Sequence, residues 1–227
     1  MTEYDERIIK FLEQLEKSGV QKIIAFSGSL PSVPTEFLEA EREKRKKDLE
    51  AHAEEVVEQS FEVFQGLPIA ILTGGTDFDI QKYAAERAKR HGMPLIGVYP
   101  QRGAKYRIKS LDLALEVAPK YGSSEWCDET EIFAKLPHGV ELIGGGMGSA
   151  AEFALIMKMN ERKVKDKQDP IYVAAVACMG HDKACFSDLV FTFPMKEDVR
   201  TACLPSYRIS RGDVAARFLV DKLKLRK

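Results

Sequence analysis

With 227 residues, 44% of them hydrophobic and 30% charged, the chain has the composition of a globular protein with a sizeable core. Its formal net charge of -1 excludes a chain-wide attraction to nucleic acid or to an anionic membrane. No apolar stretch approaches the roughly 20 residues of a membrane-spanning helix, and the acidic start from Met1 to Arg7 is unlike a secretory leader, so a cytoplasmic location is expected.

The pattern predicts a first helix over 5–17, where Ile8, Ile9, Phe11, Leu12 and Leu15 share a stripe that Ser18-Gly19 ends. Gln21 to Phe26 reads as the first strand and Ser27 to Pro34 as a loop. A long helical segment follows from Thr35 to Gln65. Acidic and basic residues interleave over its first half, 39–50, as on a solvated face with ion pairs. Its second half carries Leu49, Ala53, Val56, Val57, Phe61 and Phe64 at helical spacing and is expected to pack on a sheet.

Strands are predicted at Pro68–Leu72, Met93–Tyr99, Val140–Ile143 and Ile171–Ala177, with a shorter one at Leu189–Phe193. Helices are predicted at 79–91, 128–136, 150–159 and 212–225. Residues 101–125 look irregular, and Asn160 to Asp169 looks like a polar linker. Strands alternating with helices imply a Rossmann-like, doubly wound α/β fold: a mostly parallel sheet with helices on both faces. No repeat or boundary divides the chain, so one nucleotide-binding domain over 1–227 is expected.

Three glycine turns follow strand-like runs: Ser27-Gly28-Ser29, then Gly74-Gly75-Thr76-Asp77, then Gly144-Gly145-Gly146-Met147-Gly148-Ser149. In open parallel sheets the ligand crevice lies at the carboxyl ends of the strands, where all three fall. Glycine lets backbone approach a ligand closely, and a helix start offers free N–H groups to an anion, most often a phosphate. These residues are therefore the candidate ligand contacts. Arg102, beside Lys105 and Arg107 just past the third strand, is a further candidate for a ligand phosphate, with solvated surface as the other reading.

Glu152 has two readings. It can stand at the cleft mouth, touching a ribose hydroxyl or assisting N-glycosidic cleavage, or it can close a Ser149-x-x-Glu152 capping box. Asp128 and Glu129 are further candidate catalytic carboxylates, and Asp128 can equally cap a helix. Asp77 and Asp79 can bind ribose or a metal, or favour the start of the next helix. Trp126, the only tryptophan, either stacks on a base or lies in the core. No Walker loop, GxGxxG fingerprint or nucleophile elbow is present. Cys178-x2-His181-x3-Cys185 with Cys203 matches no zinc spacing, so reduced, buried cysteines are expected, with no metal and no cofactor.

Together these residues resemble the SLOG superfamily. It groups the LOG phosphoribohydrolases, the DNA-processing protein DprA and the ligand-sensing domains of melastatin-type TRP channels. The LOG signature Pro-Gly-Gly-x-Gly-Thr-x-x-Glu stands here as residues 144–152, with Gly144 replacing proline and Ser149 replacing threonine. Gly74-Gly75-Thr76-Asp77, then Gly97-Val98-Tyr99-Pro100, then 125–130, look more like the channel-type branch and its stand-alone bacterial relatives. The resemblance spans roughly residues 21–193. It implies nucleotide-derived ligands such as ADP-ribose on Gly28, Gly74, Gly75, Gly145, Gly146 and Gly148, and it implies a homodimer. In LOG enzymes the signature glutamate and an arginine on the preceding helix cleave a nucleoside 5'-monophosphate. Glu152 matches the glutamate. The 128–136 helix has no arginine, and Glu129 stands near its place.

Three functions follow as expectations. The first is a ligand-sensing protein for an ADP-ribose-like nucleotide. The second is a hydrolase or transferase at a nucleotide N-glycosidic bond using Glu152. The third is a carrier of a larger cofactor. The expected partner in the first two is a nucleotide-type small molecule, with neither nucleic acid nor membrane.

Overall fold

Six parallel strands form one sheet: β1 (Lys22–Ser29), β2 (Ile69–Thr73), β3 (Leu95–Pro100), β4 (Leu113–Val117), β5 (Gly139–Gly144) and β6 (Tyr172–Val176). The computed structural model describes residues 3–177 and 185–226. The strand order is β4-β3-β2-β1-β5-β6. The chain thus builds outward from β1 in one direction, then returns to its other side, which makes the β1/β5 boundary the topological switch point.

Strand side chains alternate between two cores. Ile24, Phe26, Ile69 and Ile71 pack with α2 (Glu39–Phe64), α3 (Asp79–Arg90) and α8 (Gly212–Leu223). Ile23, Ala25, Ala70 and Leu72 pack with α1 (Glu3–Lys17), α4 (Thr130–Lys135), α5 (Met147–Lys165) and α7 (Glu197–Cys203). Phe26 stacks on Phe61 at 5.3 Å, and Phe64 meets both rings edge-on. Burying each such ring contributes about 1.5–3 kcal/mol. The charged half of α2 is a solvated face, with Arg45–Glu41 and Lys46–Glu50 pairs one turn apart.

Several sequence expectations need correction. The run Leu189–Phe193 is not a strand. It lies across α6 (Phe186–Leu189) and a 3-10 turn at 190–192, because the Asp188 carboxylate accepts the Cys185 N–H at 3.1 Å and starts a helix there. The segment 101–125 contains a 3-10 turn (Gln101–Tyr106) and the edge strand β4, whose partial exposure blurs its pattern. The Asn160–Asp169 linker is largely helix: α5 runs to Lys165. Asn160 is buried and exchanges two hydrogen bonds with the Ile171 backbone, at 2.8 and 2.9 Å. The first glycine turn lies within β1, which extends to Ser29.

Candidate functional site

At the switch point, Ser27, Gly28 and Ser29 lie beside Leu142, Ile143 and Gly144. A Cβ on Gly28 would sit 1.9 Å from the Ile143 carbonyl oxygen, and the Gly28 φ is +142°. No other residue fits there, so this glycine sets how closely the two strands approach. Beyond β5 the chain reverses at Gly144 and Gly145, both at positive φ. Their amides are engaged: Gly144 N–H donates to Ser187 Oγ at 3.1 Å, and Gly145 N–H to the Ser29 carbonyl at 2.8 Å.

The next residues are different. Gly146 is the N-cap of α5 and provides no side-chain cap. The space around Gly146 and Gly148 is open, and Met147 is 86% exposed. The first backbone bond of the helix runs from Ala150 N–H to the Gly146 carbonyl. The amides of Met147, Gly148 and Ser149 therefore precede the helical ladder, at the positive end of its dipole. An anion is the natural complement of such a helix start.

Ser149 is not the cap. It lies inside the first turn of α5, buried, and no capping box forms with Glu152. The Glu152 carboxylate instead accepts the Ser27 hydroxyl at 2.5 Å. Burial pushes this carboxyl up to about 7, against the lowering effect of the Ser27 bond and with a smaller contribution from the charge of Glu129. Such a group can gain or lose a proton near neutrality.

Glu129 is itself raised by burial, and its carboxylate accepts the Cys127 N–H at 3.1 Å. It is the N-cap residue of α4. Asp128 accepts the Ser124 hydroxyl at 3.0 Å and the Glu125 N–H at 2.9 Å, so its carboxylate closes the preceding turn. Cys127 immediately precedes them at φ +140°, a region that disfavours side chains, and it is exposed. Its thiol is raised by burial and then by the charges of Glu129, Glu152, Asp128 and Glu125.

Trp126 is not in the core. It is 43% exposed, with the Arg102 guanidinium 5.6 Å from its ring centroid. Arg102 also pairs with Glu125, and its N–H donates to Ser124 Oγ. A Cβ on Gly103 would lie 3.1 Å from the Trp126 ring and 3.4 Å from the Thr76 methyl. The indole therefore stands beside the second glycine turn.

In that turn Gly75 N–H donates to Thr73 Oγ1 and Asp77 N–H to the Tyr106 carbonyl, while the Gly75 carbonyl accepts Ile108 N–H. Thr76 pairs with Arg107 in an isolated antiparallel bridge. Gly74 packs against Gln81, whose amide reaches the Gly28 carbonyl at 3.1 Å and so ties α3 to β1. Asp79 accepts Leu30 N–H at 3.3 Å. Gln81 and Ser187 brace the cleft without belonging to any motif, so spacing alone could not find them.

Cys178 and His181 lie outside the described residues. Cys185 and Cys203 are free and buried, and Cys203 accepts a bond from the Asn160 amide at 3.2 Å. Among the described residues, no group of three or more His, Cys, Asp or Glu is placed to hold a metal ion, and no helix is long and apolar enough to cross a membrane.

A Rossmann-like sheet with a glycine-rich switch point is the class that fold and site define, and a solved structure shares the fold. The protein TM1055 superposes with a TM-score of 0.55 at 12% identity, over 88% of this chain and 99% of that one. A molybdenum cofactor binding protein from Rippkaea orientalis gives 0.49 at 15% identity, over 90% and 98%. DNA processing protein A from Streptococcus pneumoniae gives 0.46 at 18% identity, over 90% and 63%. The first of these shares the Rossmann-like fold of this chain. No family model and no curated protein matches the sequence.

Proposed function

We propose that the switch-point cleft binds a nucleotide-derived ligand of the ADP-ribose type, and that the protein acts by binding it. The observation that carries this reading is the start of α5, where the amides of Met147, Gly148 and Ser149 precede the helical ladder without a side-chain cap and Gly146, Met147 and Gly148 are exposed. A phosphate there would lie across Gly144, Gly145 and Gly146, with Ser27, Gly28 and Ser29 as the neighbouring wall. Gly74, Gly75, Thr76 and Asp77 border the same strand ends. Arg102 and Trp126 are placed together to receive a charged and a planar group, respectively.

A second reading has its own support. Glu152, near neutrality and bonded to Ser27, is equipped to protonate a leaving base or to activate water, with Glu129 close enough to raise it. That would make the protein an N-glycosidic hydrolase or transferase on a nucleoside 5'-monophosphate. Asp128, held in its turn, would then position the Glu129 segment.

One experiment separates the two readings. The purified protein is incubated with ADP-ribose, NAD or AMP, its melting temperature is followed, and each mixture is chromatographed. A rise with ADP-ribose and no new peak fits the binding protein. A free base and a ribose phosphate fit the enzyme. No shift and no product with any of the three rules out both readings for these ligands. Sedimentation of the same sample tests the homodimer that the resemblance implies.

A further inference from the structure

A groove of about 570 Å³ opens on the outer side of the second glycine turn, between the start of α3 and residues 105–110. None of Ser27–Ser29 or Gly144–Glu152 lines it. Phe78 and Tyr106 stand in its wall with ring centroids 4.9 Å apart, 41% and 39% exposed. Lys105 lies 4.7 Å above the Tyr106 ring. Lys82, Arg107 and Lys109 line the same groove. Among the described residues none of these four cations forms an ion pair, whereas Arg45, Lys46, Arg87 and Arg90 of α2 and α3 do. Two carboxylates also line the groove, but Glu86 is held by Arg87 at 3.5 Å. That leaves Asp77 against four cations.

We infer that this groove is a second ligand site, taking a nucleoside phosphate, either free or as part of a single strand. The paired rings offer a face for one planar base, which stacks on aromatic side chains without sequence preference. The unpaired cations suit two or more negative charges held beside it. The volume falls in the range of small-molecule sites, roughly 300–1,000 Å³. The site also touches the cleft mechanically. Asp77 N–H to the Tyr106 carbonyl, at 2.8 Å, and Ile108 N–H to the Gly75 carbonyl, at 2.9 Å, clamp the groove segment onto the second turn. Occupying the groove would therefore fix the turn that borders the cleft.

The test uses ADP, pyrophosphate and a ten-residue oligothymidylate, with calorimetry on the full chain. Gly148→Glu places a carboxylate at the start of α5, in open space, and closes the cleft to phosphate. This variant is expected to keep one ADP site. Tyr106→Ala or the pair Lys105→Ala and Arg107→Ala, added to it, is expected to weaken that site about tenfold or more, with the melting temperature unchanged because these side chains are exposed. Pyrophosphate, lacking a base, is expected to bind at least tenfold more weakly than ADP. Tighter binding of the oligothymidylate than of ADP, lost in Tyr106→Ala, identifies a strand as the source; the reverse order identifies the free nucleotide. The inference is overturned if Gly148→Glu binds no ADP or oligothymidylate, if Tyr106→Ala leaves the residual binding intact, or if pyrophosphate binds as tightly as ADP. Equal ADP binding by wild type and Gly148→Glu would instead count against the cleft reading and leave this site standing.

Discussion

The Ser27 hydroxyl and the Glu152 carboxylate, 125 residues apart in sequence, lie 2.5 Å apart where β1 meets the first turns of α5. The bond joins the two elements that form the switch point. It also removes Glu152 from the capping role that its spacing from Ser149 implies, and leaves a carboxyl raised to about 7 at the cleft.

Glu152→Gln keeps the shape and removes the titration. If the protein turns over a nucleotide, this variant should lose about 10²–10⁴ in rate while still binding. Steady-state rates and calorimetry on one preparation check it, and unchanged turnover would take Glu152 out of the mechanism. Stability carries the same signature. The folded state holds the proton up to about pH 7, whereas the unfolded chain releases it near 4.5. Wild-type stability should fall as pH rises through that window, and Glu152→Gln should flatten the fall.

Glu141 should show the same sign more strongly. It sits fully buried on β5, accepts the Ser60 hydroxyl at 2.6 Å through one oxygen, and has no partner for the other among the described residues. Burial raises it to about 8. Between pH 4.5 and 8 the unfolded chain has ionised and the folded one has not, so folding loses roughly 1.4 kcal/mol for every unit of that gap. Glu141→Gln should therefore raise the melting temperature at pH 8 and change it little at pH 4.5. A larger gain at pH 4.5 than at pH 8 would refute the buried neutral acid.

The glycines divide by what surrounds them. Gly28→Ala forces a methyl into the Ile143 carbonyl and should cost about 4 kcal/mol or more, or prevent folding. Gly148→Ala meets open space inside a helix and should be neutral or stabilise by up to about 1 kcal/mol. Denaturant melts of the two variants give the comparison. Equal effects would mean that close approach at the switch point is not what Gly28 supplies.

Much of this was legible in the sequence. The strands at β1, β2, β3, β5 and β6 follow from buried apolar runs, and the all-parallel sheet follows from their alternation with helices. The failures have local causes. Leu113–Val117 is an edge strand with two half-buried positions, so its apolar pattern is weak. Val190 to Phe193 is an apolar, partly β-branched run that reads as a strand, while Asp188 starts a helix just before it. Asn160 reads as linker because it is polar, yet it is wholly buried and bonded to Ile171 on both sides of its amide. The Ser149 spacing fits a capping box, but a tertiary partner, Ser27, takes the glutamate. Local spacing cannot reveal a contact made 125 residues away.

Trp126 supplies an intrinsic reporter for the cleft. It is the only tryptophan, it is 43% exposed, and it stands beside the second glycine turn with Arg102 near its ring. A base that stacks on the indole should quench its emission, and Arg102→Ala should weaken that quenching if the guanidinium holds the attached phosphate. Titrating ADP-ribose and ribose 5-phosphate separates base from phosphate: the first should quench and the second should not. Trp126→Phe should retain binding with a modest loss, because a smaller ring still stacks, whereas Trp126→Ala should lose about tenfold. Binding by calorimetry with no change in emission would place the base away from Trp126 and confine the ligand to the β1/β5 side of the cleft.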